Sequence, residues 1–260
     1  MERKKISLCL EQIPEQFWDI ILGVPVYDSS CSPSAQVYYI EKGEGLFLKT
    51  AQKGMLEREA RMAEFFYKKK LGAQVLAYAS EEKDWLLTTR VQGEDGTHPM
   101  YLATPEKLCD VYSEMLRKLH ETEVQGCPVQ NRTAEYLEAV EEGFRMGRFD
   151  NSLFLERQYD CAEDAWKVAE GGRDLLKADT LIHGDYCLPN IILKEGAFSG
   201  FIDLGNGGVG DRHIDLFWGL WSLAHNLGTN QYKDRFLDGY GREKVDKEVL
   251  RIVEAIETFG

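Results

Sequence analysis

Between Leu181 and Gly205 the chain reads Leu181-Ile182-His183-Gly184-Asp185-Tyr186-Cys187-Leu188-Pro189-Asn190-Ile191-Ile192-Leu193, and then Gly200-Phe201-Ile202-Asp203-Leu204-Gly205. Apolar runs on either side of a polar turn place that turn rigidly over a buried floor. Asn190 follows Asp185 by five residues, and Asp203 follows it by eighteen, at the end of a second apolar run. Phosphoryl transfer needs one carboxylate to orient the attacking hydroxyl and accept its proton. It also needs an amide and a second carboxylate to hold Mg²⁺ on the nucleotide phosphates. Asp185, Asn190 and Asp203 suit those roles in that order. Either segment alone is equally a strand-turn-strand with capping Asp and Asn residues. Both together, at this spacing, favour the chemistry.

His183-Gly184-Asp185, with Asn190 five residues on, followed by Phe201-Ile202-Asp203-Leu204-Gly205, resembles the catalytic and metal loops of the aminoglycoside phosphotransferases, relatives of the protein kinases. The likeness runs from Ser32-Pro33 to Phe259. Cys187-Leu188-Pro189-Asn190-Ile191, Gly200 to Gly205 and Asp211-Arg212 ally it with the 3′-phosphotransferase (kanamycin kinase) branch. The resemblance implies an α+β, protein-kinase-like two-lobed fold. Residues 1–91 would form a nucleotide-binding N-lobe, a small antiparallel sheet with one helix. Residues 92–260 would form a mainly helical C-lobe with the catalytic loop and acceptor site. It also implies an enzyme that uses ATP or GTP with Mg²⁺ to phosphorylate a hydroxyl of an aminoglycoside, the 3′-hydroxyl, giving antibiotic resistance. A kinase for a sugar amine, choline or a nucleoside, and a nucleotide-binding pseudokinase, remain alternatives.

Along the chain, Val24 to Tyr27, Gln36 to Ile40 and Gly45 to Lys49 read as strands separated by turn residues. The loop Ser29 to Ser34 between the first two lacks G-x-G-x-x-G, but its small residues can approach phosphate, and the resemblance puts Ser32 there. Lys49 ends an apolar strand, where an ammonium needs carboxylate or phosphate company. Met55 to Leu71 has helical periodicity, and the family likeness makes its Glu59 the partner that holds Lys49 against the phosphates. Strands at Gln74 to Ala79 and Trp85 to Val91 lead to Gln92-Gly93-Glu94-Asp95-Gly96, a hinge by its turn residues. The Thr89 carbonyl and Val91 amide match the family hinge that takes the nucleotide base. Phe47 is placed either to stack on the base or to pack in the small lobe.

Helices are predicted from Pro105, with Thr104 as cap, to Glu121, and then over Thr133 to Arg148, Ala162 to Lys177, Asp211 to Leu227, Gln231 to Leu237 and Glu243 to Phe259. The helix after Asp211 carries Ile214, Phe217, Trp218, Leu220 and Trp221 around most of its circumference, as a buried central helix would. Asp215 on it is implied by the family to brace the catalytic loop, and His120 reads as structural.

A net charge of −13 argues against nucleic acid and anionic membranes as partners and suits a cationic ligand. Six scattered cysteines without metal spacing fit reduced thiols and a cytoplasmic location, and no apolar stretch is long enough to span a membrane. Two positions depart from the 3′-phosphotransferase pattern. Asn206 stands where that branch carries Arg, and His225-Asn226 stand where acidic residues are expected. Asp150, Glu156 and Glu257, with the terminal carboxylate of Gly260, are the acidic groups left to meet an amine-rich substrate.

Overall fold

The computed structural model of the chain describes residues 4–31, 34–153 and 159–260. They form two compact units: Met1–Gln92 with Ser199–Gly205, and Gly93–Phe198 with Asn206–Gly260.

The first unit is an antiparallel sheet with a helix on one face. Its elements are β1 (Lys4–Ile6), α1 (Trp18–Ile21), β2 (Val26–Asp28), β3 (Ala35–Ile40), β4 (Leu46–Gln52), α2 (Glu57–Lys68), β5 (Val75–Ser80) and β6 (Lys83–Thr89). The strands lie in the order β1-β2-β3-β4-β6-β5. β4 is central, paired with β3 from Ala35↔Ala51 to Ile40↔Leu46 and with β6 from Leu46↔Thr89 to Gln52↔Lys83. Because side chains alternate across a strand, Leu48 enters a core with Ile13, Phe17, Ile21, Ile40, Trp85 and Leu87. Phe47, Lys49 and Ala51 take the other face, where Ala51 and Leu86 pack with Leu56 and Ala60. That packing lays α2 across the face carrying Lys49.

The sequence reading assigned no element before Val24. In the structure those residues cover the Leu48 face of the sheet, tied locally by the Trp18 indole, which donates to the Ile13 carbonyl at 2.8 Å and the Leu10 carbonyl at 3.1 Å. Segments of three or four residues are too short to display a period, so their burial leaves no pattern to read.

The second unit opens with β7 (Glu94–Asp95), α3 (Pro99–Leu102), α4 (Pro105–His120), α5 (Arg132–Arg145) and α6 (Ala162–Gly172). It continues with β8 (Thr180–Ile182) and β9 (Ile191–Lys194). After a turn with Glu195 and Gly196 at φ 53° and 80°, the chain leaves for the first unit along β10 (Ala197–Phe201). It returns to form β11 (Gly208–Gly210), α7 (Arg212–Leu227), α8 (Lys233–Tyr240) and α9 (Lys247–Glu257). β8 pairs with β11, and β7 with β9, both antiparallel.

Several expectations change in detail. Thr104 does not cap α4 with its side chain; its hydroxyl donates back to the Tyr101 carbonyl at 3.4 Å, across the end of the short α3 that precedes it. The helix from Ala162 stops at Gly172 and passes into a 3₁₀ turn over Arg173–Leu175. The last helix begins only after Asp246, whose carboxylate accepts the Glu248 N–H at 2.9 Å. On α7, Phe217 is buried, but Trp218, Leu220 and Trp221 are only half-buried, so the helix is not covered all round.

Candidate functional site

In the first unit, alternation along β4 and the position of α2 bring Lys49 to Glu59. The ammonium lies 2.7 Å from Glu59 Oε2 and 2.9 Å from Asp203 Oδ1. Burial pulls the Lys49 pKa down, and the charges of Glu59 and Asp203 more than reverse it, so the net shift is upward. Burial raises Glu59, Lys49 lowers it, Asp203 adds to the rise, and the result is again upward.

Asp203 reaches Lys49 because β10 docks on the segment after α2. The Phe201 N–H donates to the Leu71 carbonyl at 2.7 Å, Phe201 bridges Gly72, and its ring meets Phe66 edge-on at 6.0 Å. Asp203 itself has φ 58°, a left-handed conformation that costs an L-residue about 1–2 kcal/mol. Phe47 shares the Lys49 face and is half-buried, with its ring 5.4 Å from Tyr39. Thr89 at the end of β6 exchanges two bonds with Gln74, and Val91 packs on Gly200. Ser32 lies outside the described residues.

In the second unit, the loop after β8 is held from three sides. Asp215 of α7, fully buried, accepts the backbone N–H groups of His183 and Gly184, each at 2.7 Å. Its Oδ2 also meets His120 Nε2 at 3.2 Å, while the Tyr240 hydroxyl sits 2.9 Å from His120 Nδ1. Desolvation lowers the His120 pKa against the pull of Asp215, and the ring bridges the Asp215 carboxylate and the Tyr240 hydroxyl through its two nitrogens.

Tyr186 and Tyr112 of α4 stack at 4.7 Å and exchange hydroxyl-to-carbonyl bonds of 2.6 and 2.7 Å. The Leu188 N–H donates to the Ser222 hydroxyl at 2.9 Å. Gly184, at φ 78°, lies so close to the Asn206 carbonyl that any Cβ would run into it.

Within the clamped loop, Asn190 Nδ2 donates to the Asp185 carboxylate at 2.9 Å and to its backbone carbonyl at 3.0 Å. The carboxylate is thereby oriented, and the hard Oδ1 of Asn190 is the atom left to meet a cation. The Asp203 carboxylate, half-exposed beyond Lys49, offers the same chemistry. Mg²⁺ is typically bound through one or two such protein oxygens together with substrate phosphates, and each of these side chains, taken in its own unit, offers such an oxygen. Among the described residues no set of three or more His, Cys, Asp or Glu converges. Cys187, two residues past Asp185, is pushed far up by burial and then by the Asp185 charge, so it stays a thiol.

Of the acidic candidates, Asp150 is exposed, and its carboxylate accepts the Ser152 N–H at 2.7 Å while its own N–H reaches the Thr258 carbonyl at 2.8 Å. Glu156 lies outside the described residues. Glu257 is buried, at 5% exposure, near the foot of α9. Burial raises its pKa to about 7, opposed by Tyr136, Trp218 and Arg132 and reinforced by the charge of Asp185.

The sequence singled out Glu257 but not Tyr136 and Trp218, which act on it. It also missed Arg132, whose guanidinium donates to the Asn206 carbonyl at 3.1 Å and so brings a cation to the position lacking one in the sequence. Asn226 does not face outward for a ligand: its amide donates to the Ser222 carbonyl at 2.8 Å. His225 is exposed and stacks on Trp221.

Among known proteins, the profile of the phosphotransferase enzyme family matches residues 33–252. A Lactococcus lactis subsp. lactis protein named "probable aminoglycoside 3′-phosphotransferase" is 44% identical over 258 residues, 99% of this chain and 98% of the other. An aminoglycoside 3′-phosphotransferase of Niallia circulans is 31% identical over 199 residues, 73% of each chain. In fold, the crystal structure of an aminoglycoside-3′-phosphotransferase of type VIII superposes with a TM-score of 0.78 at 24% identity, over 96% of this chain and 97% of that one.

Proposed function

Because the chain belongs to the phosphotransferase enzyme family, with its protein-kinase-like fold, we propose that it moves the γ-phosphoryl group of ATP or GTP to the 3′-hydroxyl of an aminoglycoside, which confers resistance. The observation that carries the reading is the Asn190–Asp185 bond inside a loop that Asp215 holds by two backbone N–H groups. A carboxylate fixed in this way positions an acceptor hydroxyl and receives its proton as the phosphoryl group leaves the nucleotide. Asp215 acts only through that loop.

Residues 1–91 serve as the nucleotide-binding part and 92–260 as the catalytic and acceptor part. Lys49, kept in place by Glu59, faces the nucleotide phosphates, with Ser32 beside them. The Thr89 carbonyl, the Val91 amide and Phe47 take the base. Bound Mg²⁺ neutralises charge on the phosphates, and Asn190 Oδ1 with the Asp203 carboxylate would hold it. Glu257, with Asp150 and Glu156, supplies negative charge for a polyamine acceptor.

Identity of 44% along nearly the full length of a named 3′-phosphotransferase supports the acceptor class. The free cysteines, and the absence among the described residues of any helix able to cross a membrane, agree with a cytoplasmic enzyme. The test is product formation with kanamycin B and with tobramycin, its 3′-deoxy analogue. Phosphorylation of the first alone is expected. An active preparation that leaves kanamycin B unmodified, or turns over both alike, refutes the assignment.

A further inference from the structure

The placement of α2 decides whether Glu59 meets Lys49, and this helix begins without a cap of its own. Its N-cap position is Leu56, whose side chain carries no acceptor, so its first N–H groups must be satisfied from elsewhere. Asp84 of β6 supplies one acceptor: its Oδ2 receives the Leu56 N–H at 2.9 Å. Asp84 is fully buried. Desolvation pushes its pKa up, and the N–H groups of Leu56 and Gly54, with the Ser80 and Tyr78 side chains, more than reverse that, so it ends below the ordinary value. The carboxylate thus sets a negative charge at the positive end of the helix dipole.

A buried carboxylate brought from 28 residues away is a costly way to start a helix, since a serine or aspartate at position 56 would serve locally. What the long-range bond adds is position, and the strand register shows for what. Asp84 pairs with Ala51, and Leu86 pairs with Lys49. Asp84 and Lys49 therefore share the face under α2, two residues, or about 7 Å, apart along the strands. On the helix, Leu56 and Glu59 lie three residues apart, about 4.5 Å. Two polar tethers, Asp84 to Leu56 and Lys49 to Glu59, join one turn of α2 to one face of the sheet. Ala51, Leu86, Leu56 and Ala60 pack beside them. Apolar contacts are non-directional and tolerate a slide of the helix. A bond to its backbone fixes the axial position.

We infer that Asp84 is a positioning residue for the Lys49–Glu59 pair: it pins the start of α2 to β6 at the height that brings the Glu59 carboxylate to the Lys49 ammonium. Asp84 acts only through the helix. The kinetic consequence rests on the proposed phosphoryl transfer, whereas the pin itself belongs to the first unit alone.

The test uses Asp84→Ala, which removes the acceptor, and Asp84→Asn, which keeps one oxygen for the Leu56 N–H. Leu87→Val, trimming the core on the opposite face of the same strand, is the control for lost stability. Acetylation by acetic anhydride, followed by mass spectrometry against the exposed Lys83, measures how freely the Lys49 amine leaves its two carboxylates. Lys49 should be labelled about tenfold faster in Asp84→Ala and about threefold faster in Asp84→Asn. In Leu87→Val it should keep the parent rate despite a lower Tm. With kanamycin B as acceptor, Asp84→Ala should raise the nucleotide KM about tenfold, leave KM for kanamycin B within twofold, and add little in a Glu59→Ala background.

If Asp84→Ala does not fold, Asp84→Asn decides. Labelling at the parent rate in a folded Asp84 variant, equal acceleration in Leu87→Val, or losses that add to those of Glu59→Ala overturn the inference. If the parent protein phosphorylates no aminoglycoside, the proposed function fails, and the labelling rates still uphold or overturn the pin.

Discussion

Replacing Glu257 with glutamine is expected to stabilise the protein at alkaline pH and to change it little in acid. Burial lifts this carboxyl from 4.5 to about 7, because Tyr136, Trp218 and Arg132 only partly offset the loss of water while Asp185 repels the charge. Between those two values the folded chain binds the proton more tightly than the unfolded chain does, so stability falls as pH rises. Below the unfolded value both states are protonated and no cost exists. Above the folded value the cost is complete, and the gap from 4.5 to about 7 amounts to roughly 3 kcal/mol.

Glutamine has the shape of the protonated acid and does not titrate, so it escapes that cost. The advantage of Glu257→Gln over the parent should widen by roughly 2–3 kcal/mol between pH 5 and pH 8.5. For a chain of this size that is on the order of 5–10 °C in Tm. Thermal unfolding of both proteins, followed by circular dichroism across this range, is the measurement. A difference that does not change with pH, or a variant that is less stable at pH 8.5, would refute the reasoning.

Asp185→Asn should lower kcat by about 10²–10⁴ while Mg²⁺–nucleotide binding, measured by calorimetry, stays within a few-fold, since the group lost is the proposed proton acceptor. Lys49→Ala and Glu59→Ala should each raise the nucleotide KM, and the double variant should lose less than the sum in free energy, because both act through one 2.7 Å ion pair; an additive loss in steady-state kinetics would argue against the pairing. Asp215→Asn offers one acceptor where two backbone N–H groups and His120 need partners, so it should cost about 1–3 kcal/mol in denaturant unfolding and lower kcat with it.

What could be read from the sequence was what depends on local spacing. Asp185 and Asn190 share one loop, so a five-residue interval carries their relation, whereas the pairing of Lys49 with Glu59 came from the family resemblance, applied to a strand followed by a helix. The strand runs from Gln36 to Lys49 were legible because turn residues separate them. The set around Glu257 was not, because Arg132, Tyr136 and Trp218 reach it only through the packing of α5 and α7 with α9. Nothing in the spacing of residues roughly forty or more apart along α5, α7 and α9 encodes such a meeting. Arg132 offers the sharpest case. The sequence displays a lost arginine at Asn206, and an arginine 74 positions away supplies the cation. Trp218 and Trp221 misled in the opposite direction, since an apolar residue on every side of a helix reads as full burial until its neighbours are known.

The three charges of the first unit are not equivalent, and their burial sets the order in which they would exchange partners. Lys49 lies between two carboxylates, so the group carries a net charge of −1 when all three are ionised. Glu59 has 13% of its side chain exposed and Asp203 has 54%. Separating Lys49 from Glu59 would strand a buried carboxylate, which costs several kcal/mol. Separating it from Asp203 returns that group to water, where an ion pair contributes about 0–1 kcal/mol. If Asp203 holds a cation as proposed, it would leave Lys49 at little cost, and Lys49, still fixed by Glu59, would keep its positive charge free for phosphate oxygens. The left-handed backbone at Asp203 agrees with this division, because it presents, on a β10 anchored at Leu71, the carboxylate that costs less to separate from Lys49.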